Sequence, residues 1–290
     1  MQTTTTSSST TTAARHGRVP VNGVEYYYEV HGQGEPLVLL HGGLMSMDGF
    51  RPLLPQFAGR KVIMIDMQGH GRTTLGTRPI TLVDSADDID AVLGAIGVAQ
   101  TDVLGYSFGG NIALRLAIQH PQRVRKLVLV SAIYSNDGFF AEMLPQQAAV
   151  GAAMAPMMKD TPMYQAYVAV APKPEDFPAL LDRVGAWMRV RYDYAEEVKK
   201  ITAPTLLVYG DSDMIRPEHI VEFYKLLGGG QKDAGWQREH MAKNRLAIIP
   251  DATHYEMLET PMLVATVRPF LEGKSATATV SARSPSRTDD

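Results

Sequence analysis

Six short apolar runs recur along the chain, and between most of them the apolar residues fall at helical spacing. The runs are Pro36–Leu40 (PLVLL), Lys61–Ile65 (KVIMI), Asp102–Tyr106 (DVLGY), Lys126–Val130 (KLVLV), Pro204–Tyr209 (PTLLVY) and Leu246–Ile249 (LAII). A strand with one wet face alternates apolar and polar residues. These runs do not, so both of their faces are to be covered. Helix patterns over Leu82–Ile96, Phe108–His120, Arg216–Leu227 and Pro261–Leu271 separate them, and a further β-prone stretch, Val24–Val30, follows a VNG turn. This order predicts an α/β fold: a mostly parallel sheet covered by helices on both faces. Ligands of such sheets gather at the carboxyl ends of the strands, so function is to be sought there.

The alternation stops between Ile133 and Lys200, a segment rich in Met, Ala, Pro and aromatics with no strand pattern. A stretch this long is not a plain loop in a compact domain. It is expected to be a helical cap at 133–200, inserted into a core formed by 20–132 and 201–273. Its methionines are mostly core by default, and some of them would line an adaptable apolar pocket. Residues 1–19 and 274–290 are rich in Ser, Thr and Ala and are expected to be disordered tails.

The net charge of -3 gives no electrostatic case for nucleic acid or an anionic membrane. No apolar run has the ~18 residues of a membrane span. The first residues lack the apolar core of a secretory signal, so a cytoplasmic location is expected. The chain has no cysteine, which excludes disulfides, thiolate metal sites and a cysteine nucleophile. No zinc-type cluster is present, and GHG at 69–71 and GGG at 228–230 lack a nucleotide-binding fingerprint. Neither a metal nor a cofactor is expected.

The most informative stretch is Gly105-Tyr106-Ser107-Phe108-Gly109, at the corner between a strand and a helix. A turn this tight strains its central residue, and glycines at 105 and 109 relieve crowding across it. Ser107 would then stand above the sheet edge at a helix start, where free N–H groups favour developing negative charge. A serine hydroxyl needs a base to act as a nucleophile, and the base needs an orienting acid. His254, just past the last strand, is the best base by position. Asp211 and Asp213 compete as the acid, and Asp213 is favoured because it lies further past its strand. Acyl transfer also needs oxyanion donors. The Phe108 N–H is one, and the Gly43 N–H in the loop after PLVLL is the other.

These motifs resemble those of the α/β-hydrolase fold family: HGG at 41–43, Asp66 with GHG at 69–71, GYSFG at 105–109, GDSD at 210–213 and Thr253-His254. The resemblance covers roughly residues 20 to 273. It implies Ser107 as nucleophile, His254 as general base, Asp213 as its acid, and Gly43 and Phe108 as oxyanion donors. Dehalogenases and epoxide hydrolases of this family carry aspartate at the elbow, so a serine points away from them. Relatives often carry arginine before GHG, where this chain has Gln68. The segment Gly228–Ala242 is longer than usual and reads as a surface insertion in preference to a mobile loop near the pocket.

The expected activity is hydrolysis of a small to medium, mainly apolar carboxylic ester or lactone through an acyl-enzyme, with that small molecule as the partner. Amidase, aminopeptidase, perhydrolase and carbon–carbon hydrolase use the same machinery. An aminopeptidase would need acidic cap residues, for which Glu175, Asp176 and Asp182 are available. A slow-turnover receptor, or a lyase or oxygenase without a cofactor, is the rival from another class.

Overall fold

Leu37 and Leu39 pack into one apolar core while Val38 and Leu40 pack into another, and all four are fully buried. That alternation, repeated along neighbouring strands, is how one sheet serves two cores. The computed structural model describes residues 15–273. Eight strands form a single sheet: β1 (Arg15–Val21), β2 (Val24–His31), β3 (Glu35–Leu40), β4 (Arg60–Ile65), β5 (Thr101–Tyr106), β6 (Val124–Val130), β7 (Thr205–Ser212) and β8 (Arg245–Thr253). Their order is β1-β2-β4-β3-β5-β6-β7-β8. β2 pairs antiparallel with both β1 and β4, and all other pairs are parallel.

Helices α1 (Leu82–Ala95) and α2 (Phe108–Gln119) cover one face through residues such as Ile89 and Ile112. The opposite face is covered by a 3-10 helix at Met47–Phe57 and by the helix Pro261–Glu272. The chain leaves β3 for β4 on one side and later returns to β5 on the other. The sheet order therefore reverses at β3, which opens a crevice at the carboxyl ends of β3 and β5.

Between β6 and β7 the described residues are helical: α3 (Met143–Ala148), α4 (Ala155–Met158), α5 (Pro162–Val170), α6 (Phe177–Met188) and α7 (Ala195–Val198), with short 3-10 turns. Phe177, Leu180, Leu181 and Val184 of α6 join the core. The Arg183 guanidinium donates to the carbonyls of Leu75, Gly76 and Arg78 at 2.9, 2.9 and 3.0 Å. Gln68 donates to two of the same carbonyls, so the residue standing in place of arginine holds the loop beneath α6.

One boundary moves. Residues 15–19, assigned above to the leading tail, belong to β1, which pairs with β2 from Arg15↔Val30 onward. The remaining tail residues, 1–14 and 274–290, lie outside the described residues. Helix α8 (Pro217–Leu226) is followed by an irregular segment that leads into the amino end of β8. The Gly228–Ala242 insertion therefore lies at the opposite edge of the sheet from Ser107, with Trp236 fully exposed.

Candidate active site

Ser107 sits between β5 and α2 with φ 53° and ψ −116°, in the left-handed region that L-residues avoid. Its N–H donates to the Val130 carbonyl at 2.8 Å, and its own carbonyl accepts from Asn111 at 2.9 Å. A Cβ on Gly105 would lie 2.2 Å from the Gly109 carbonyl oxygen, the crowding across the turn expected from the sequence. Gly109 has a different reason to be glycine. Its Cβ would lie 2.3 Å from the Leu40 carbonyl oxygen and 2.5 Å from that of His41. The Gly109 N–H also donates to the His41 carbonyl at 3.0 Å. Glycine there lets the elbow press directly against the end of β3.

The structure brings Ser107, His254 and Asp213 into one line. His254 Nε2 is 2.9 Å from Ser107 Oγ, and His254 Nδ1 is 2.8 Å from Asp213 Oδ1. A carboxylate at Nδ1 fixes the proton there, which leaves Nε2 as the acceptor for the serine hydroxyl. Both partners are buried. Asp211 is elsewhere: its carboxylate accepts from the backbone N–H groups of Asp251 and Ala252 and braces the carboxyl end of β8.

Two supporting residues escaped the sequence reading. Ser131, at the end of β6 with φ 52°, donates its hydroxyl to Asp213 Oδ2 at 2.5 Å. Tyr106, beside the nucleophile, donates its hydroxyl to the His254 carbonyl at 2.6 Å and so ties the histidine loop to the elbow. Both are ordinary residues of buried runs, and nothing local in the sequence sets them apart.

Gly43 and Phe108 line the same cavity as Ser107. Neither backbone N–H has an acceptor among the described residues. Phe108 opens α2, and the first N–H groups of a helix have no partner within it. At Gly43 the neighbouring histidine sets the peptide. His41 Nδ1–H donates to the Gly42 carbonyl at 2.8 Å, and Nε2 accepts the Met67 N–H at 3.1 Å. Because the peptide is planar and trans, holding the Gly42 carbonyl turns the Gly43 N–H the opposite way. Burial keeps His41 neutral, lowering its pKa to about 4, and keeps His70 behind it neutral at about 3. Asp66 accepts the N–H groups of Met47 and Arg72, and burial raises its pKa to about 6. These residues build the loop and stay away from the line at Ser107.

The cavity holds about 530 Å³. Seven methionines line it, and Met143, Met154, Met158, Met163 and Met188 of these come from the inserted segment. Met154, Met158 and Met188 also pack against the core, so these three serve both roles that the sequence left open. Trp187 adds its ring against Phe108, with centroids 4.5 Å apart. No Asp, Glu, Lys or Arg side chain among the described residues lines the space. Glu175, Asp176 and Asp182 lie outside its walls, and Asp182 Oδ1 accepts the Ala152 N–H instead.

A parallel sheet with a strained serine elbow at its switch point defines a class, and comparison with known proteins agrees. The family model for the alpha/beta hydrolase fold matches residues 35–160. A protein named "Putative carbamate hydrolase RutD" from Azorhizobium caulinodans is 31% identical over 229 residues, covering 72% of this chain and 84% of that one. The chain belongs to the alpha/beta hydrolase fold family. The pimeloyl-[acyl-carrier protein] methyl ester esterase of Nitrosomonas europaea is 25% identical over 262 residues, 81% of this chain and 94% of that one. Among solved structures, carboxylesterase CesB (YbfK) from Bacillus subtilis superposes with a TM-score of 0.69 at 19% identity, over 91% of this chain and 93% of that one. No helix among the described residues is long and apolar enough to cross a membrane.

Proposed function

We propose that this protein is a serine hydrolase that cleaves a neutral carboxylic ester through an acyl-enzyme on Ser107. The observation that carries this reading is the line Ser107–His254–Asp213, with contacts of 2.9 and 2.8 Å, opening into a cavity without charged walls. Ser107 Oγ bonds to the ester carbonyl carbon while its proton passes to His254 Nε2. The oxygen that becomes negative is received by the Gly43 and Phe108 N–H groups, worth about 3 kcal/mol each where such donors have been removed in other enzymes. The carbon–oxygen bond to the alcohol then breaks, and His254 returns the proton to the departing oxygen. Water, deprotonated by the same nitrogen, attacks the acyl-serine and releases the acid. Asp213 remains ionised throughout, holding the ring and offsetting the charge it gains.

Residues 133–200 act as a cap in this reading, and their methionines shape the acyl pocket. An anionic or cationic substrate group would lose its hydration with no countercharge, so the substrate is neutral around the scissile bond. An aminopeptidase would need a carboxylate facing the ammonium, and the cavity walls carry none. The name of the Azorhizobium relative favours a second reading, a carbamate in place of the ester, because the same steps apply to its carbonyl. A panel of p-nitrophenyl esters of increasing chain length, with a p-nitrophenyl carbamate beside it, tests both. Sustained turnover of the esters supports the first reading. A single burst without turnover opposes an enzyme of this kind and favours a receptor.

A further inference from the structure

The Ile133 N–H, the Asn111 amide and the hydroxyl of half-buried Tyr192 form a chain of hydrogen bonds whose direction is fixed. The Ile133 N–H donates to Asn111 Oδ1 at 2.9 Å. A backbone N–H can only donate, so it decides which end of the Asn111 amide is oxygen. The Asn111 Nδ2 therefore faces Tyr192 and donates to its hydroxyl oxygen at 3.3 Å. The hydroxyl is thus an acceptor towards Asn111, and its own proton has no acceptor among the described residues. All three residues line the cavity that holds Ser107.

The tyrosine is held firmly in place. Its backbone N–H donates to Asn136 Oδ1 at 2.7 Å, and its carbonyl accepts the Asn136 N–H at 3.3 Å. Its ring stacks on Tyr194 with centroids 4.7 Å apart. Burial raises its pKa well above the ordinary phenol range, so the hydroxyl keeps its proton. Asn111 lies one turn into α2 from Ser107, and its N–H donates to the Ser107 carbonyl at 2.9 Å.

We infer that the Tyr192 hydroxyl is a substrate-reading donor: it takes a neutral oxygen acceptor, such as a ketone, ether or amide carbonyl, carried a few bonds from the scissile carbonyl. This rests on the proposed ester hydrolysis for the position of the scissile group. Donation from Asn111 polarises the phenol and strengthens its own O–H as a donor. Asn136, Gln146 and Gln147 also line the cavity, but a ligand without an oxygen at Tyr192 leaves this proton without its partner, and sites that hydrogen-bond a substrate oxygen discriminate strongly. The substrate is therefore expected to be an oxygenated acyl or alkyl chain, and a plain hydrocarbon is the poorer ligand.

The test uses p-nitrophenyl esters with a ketone at position 4, 5 or 6 of the acyl chain, each paired with the ester bearing C=CH2 in place of C=O. For wild type, at least one keto ester is expected to exceed its partner about tenfold or more in kcat/KM. In Tyr192→Phe, which keeps the ring, that ratio is expected to fall to about one. A merely structural role would slow both esters together and leave the ratio unchanged. Calorimetric Kd values for the same pairs on Ser107→Ala and on the Ser107→Ala, Tyr192→Phe double variant give the ratio without turnover. If no ester turns over but the Kd ratio depends on Tyr192, the donor stands and the hydrolase reading falls. If esters turn over with no keto preference at any position, or with one that survives Tyr192→Phe, the donor is overturned and the hydrolase reading stands.

Discussion

Ser131 and His254 grip opposite oxygens of Asp213: the serine hydroxyl donates to Oδ2 at 2.5 Å, and the imidazole takes Oδ1 at 2.8 Å. Ser131→Ala leaves a buried carboxylate oxygen without its donor, which costs about 1–3 kcal/mol in comparable cases. Both stability and kcat are expected to fall, kcat by several-fold with KM little changed. Denaturant melts and steady-state kinetics on the same ester check this. Unchanged values would show that Ser131 is a bystander.

The two aspartates at the carboxyl end of β7 are separated by function. Asp213→Asn is expected to lower kcat on the order of 10³–10⁴-fold, because the amide favours the wrong tautomer at His254. Asp211→Asn replaces one of the two carboxylate oxygens that accept the Asp251 and Ala252 N–H groups at the end of β8 and is expected to change kcat by no more than a few-fold. Comparable losses in the two variants would contradict the assignment.

The elbow and the histidine were legible because each depends on its neighbours in sequence. Glycines beside Ser107, and strand ends before Asp213 and His254, are local signals. Ser131 and Tyr192 are not. They reach the site through β6 and the inserted segment, and only the pairing of β5 with β6 and the folding of residues 133–200 bring them there. β1 was missed because RHGRVPV is a mostly exposed edge strand that carries a proline and basic residues, so it lacks the apolar run of an interior strand. The crowding argument found Gly109 but gave only part of the cause, since its closest neighbours belong to β3 and the loop after it, about 70 residues earlier.

Glycine substitutions separate fold from pocket. Gly109→Ala puts a Cβ 2.3 Å from the Leu40 carbonyl, against backbone that cannot yield, and is expected to abolish stable folding. At Gly43 a Cβ would meet only Phe108 Cβ, at 3.7 Å, so Gly43→Ala is expected to fold and to bind bulky acyl groups less well. Circular dichroism melts and the ester panel report the two outcomes.

Acid is expected to destabilise the fold. Burial lowers the pKa of His41, His70 and His219 to about 4, about 3 and about 4. In an unfolded chain each would titrate near ~6.5. Between those limits the unfolded state binds protons that the folded state refuses, so stability is full above about pH 6.5 and falls as pH drops, by about 1.4 kcal/mol per pH unit for each histidine. Asp66 acts in the opposite sense. Its folded pKa of about 6 means that the folded state takes a proton first, which offsets about one histidine between pH 6 and pH 4. Asp102, whose pKa burial also raises, acts in the same sense as Asp66. Urea melts from pH 7 to pH 4.5 should show stability falling with acid, and His219→Phe should make that fall shallower. A flat profile would contradict the burial of these rings as neutral groups.

The uncharged cavity walls set a substrate limit. A p-nitrophenyl ester with a terminal carboxylate on a four- or five-carbon acyl chain is expected to react at least about 100-fold more slowly than its neutral counterpart. That penalty is a few kcal/mol of lost hydration, at the lower end for an unpaired buried charge. Equal rates would place a cation in the pocket where the structure has none.

The most direct test of the account is fluorophosphonate labelling followed by peptide mass spectrometry, run beside hydrolysis of p-nitrophenyl butyrate by wild type and Ser107→Ala. The account requires one label per chain, on Ser107, appearing at the rate at which hydrolysis is lost, with neither label nor turnover in Ser107→Ala. Turnover that survives in Ser107→Ala, or a label on any other residue, would contradict it.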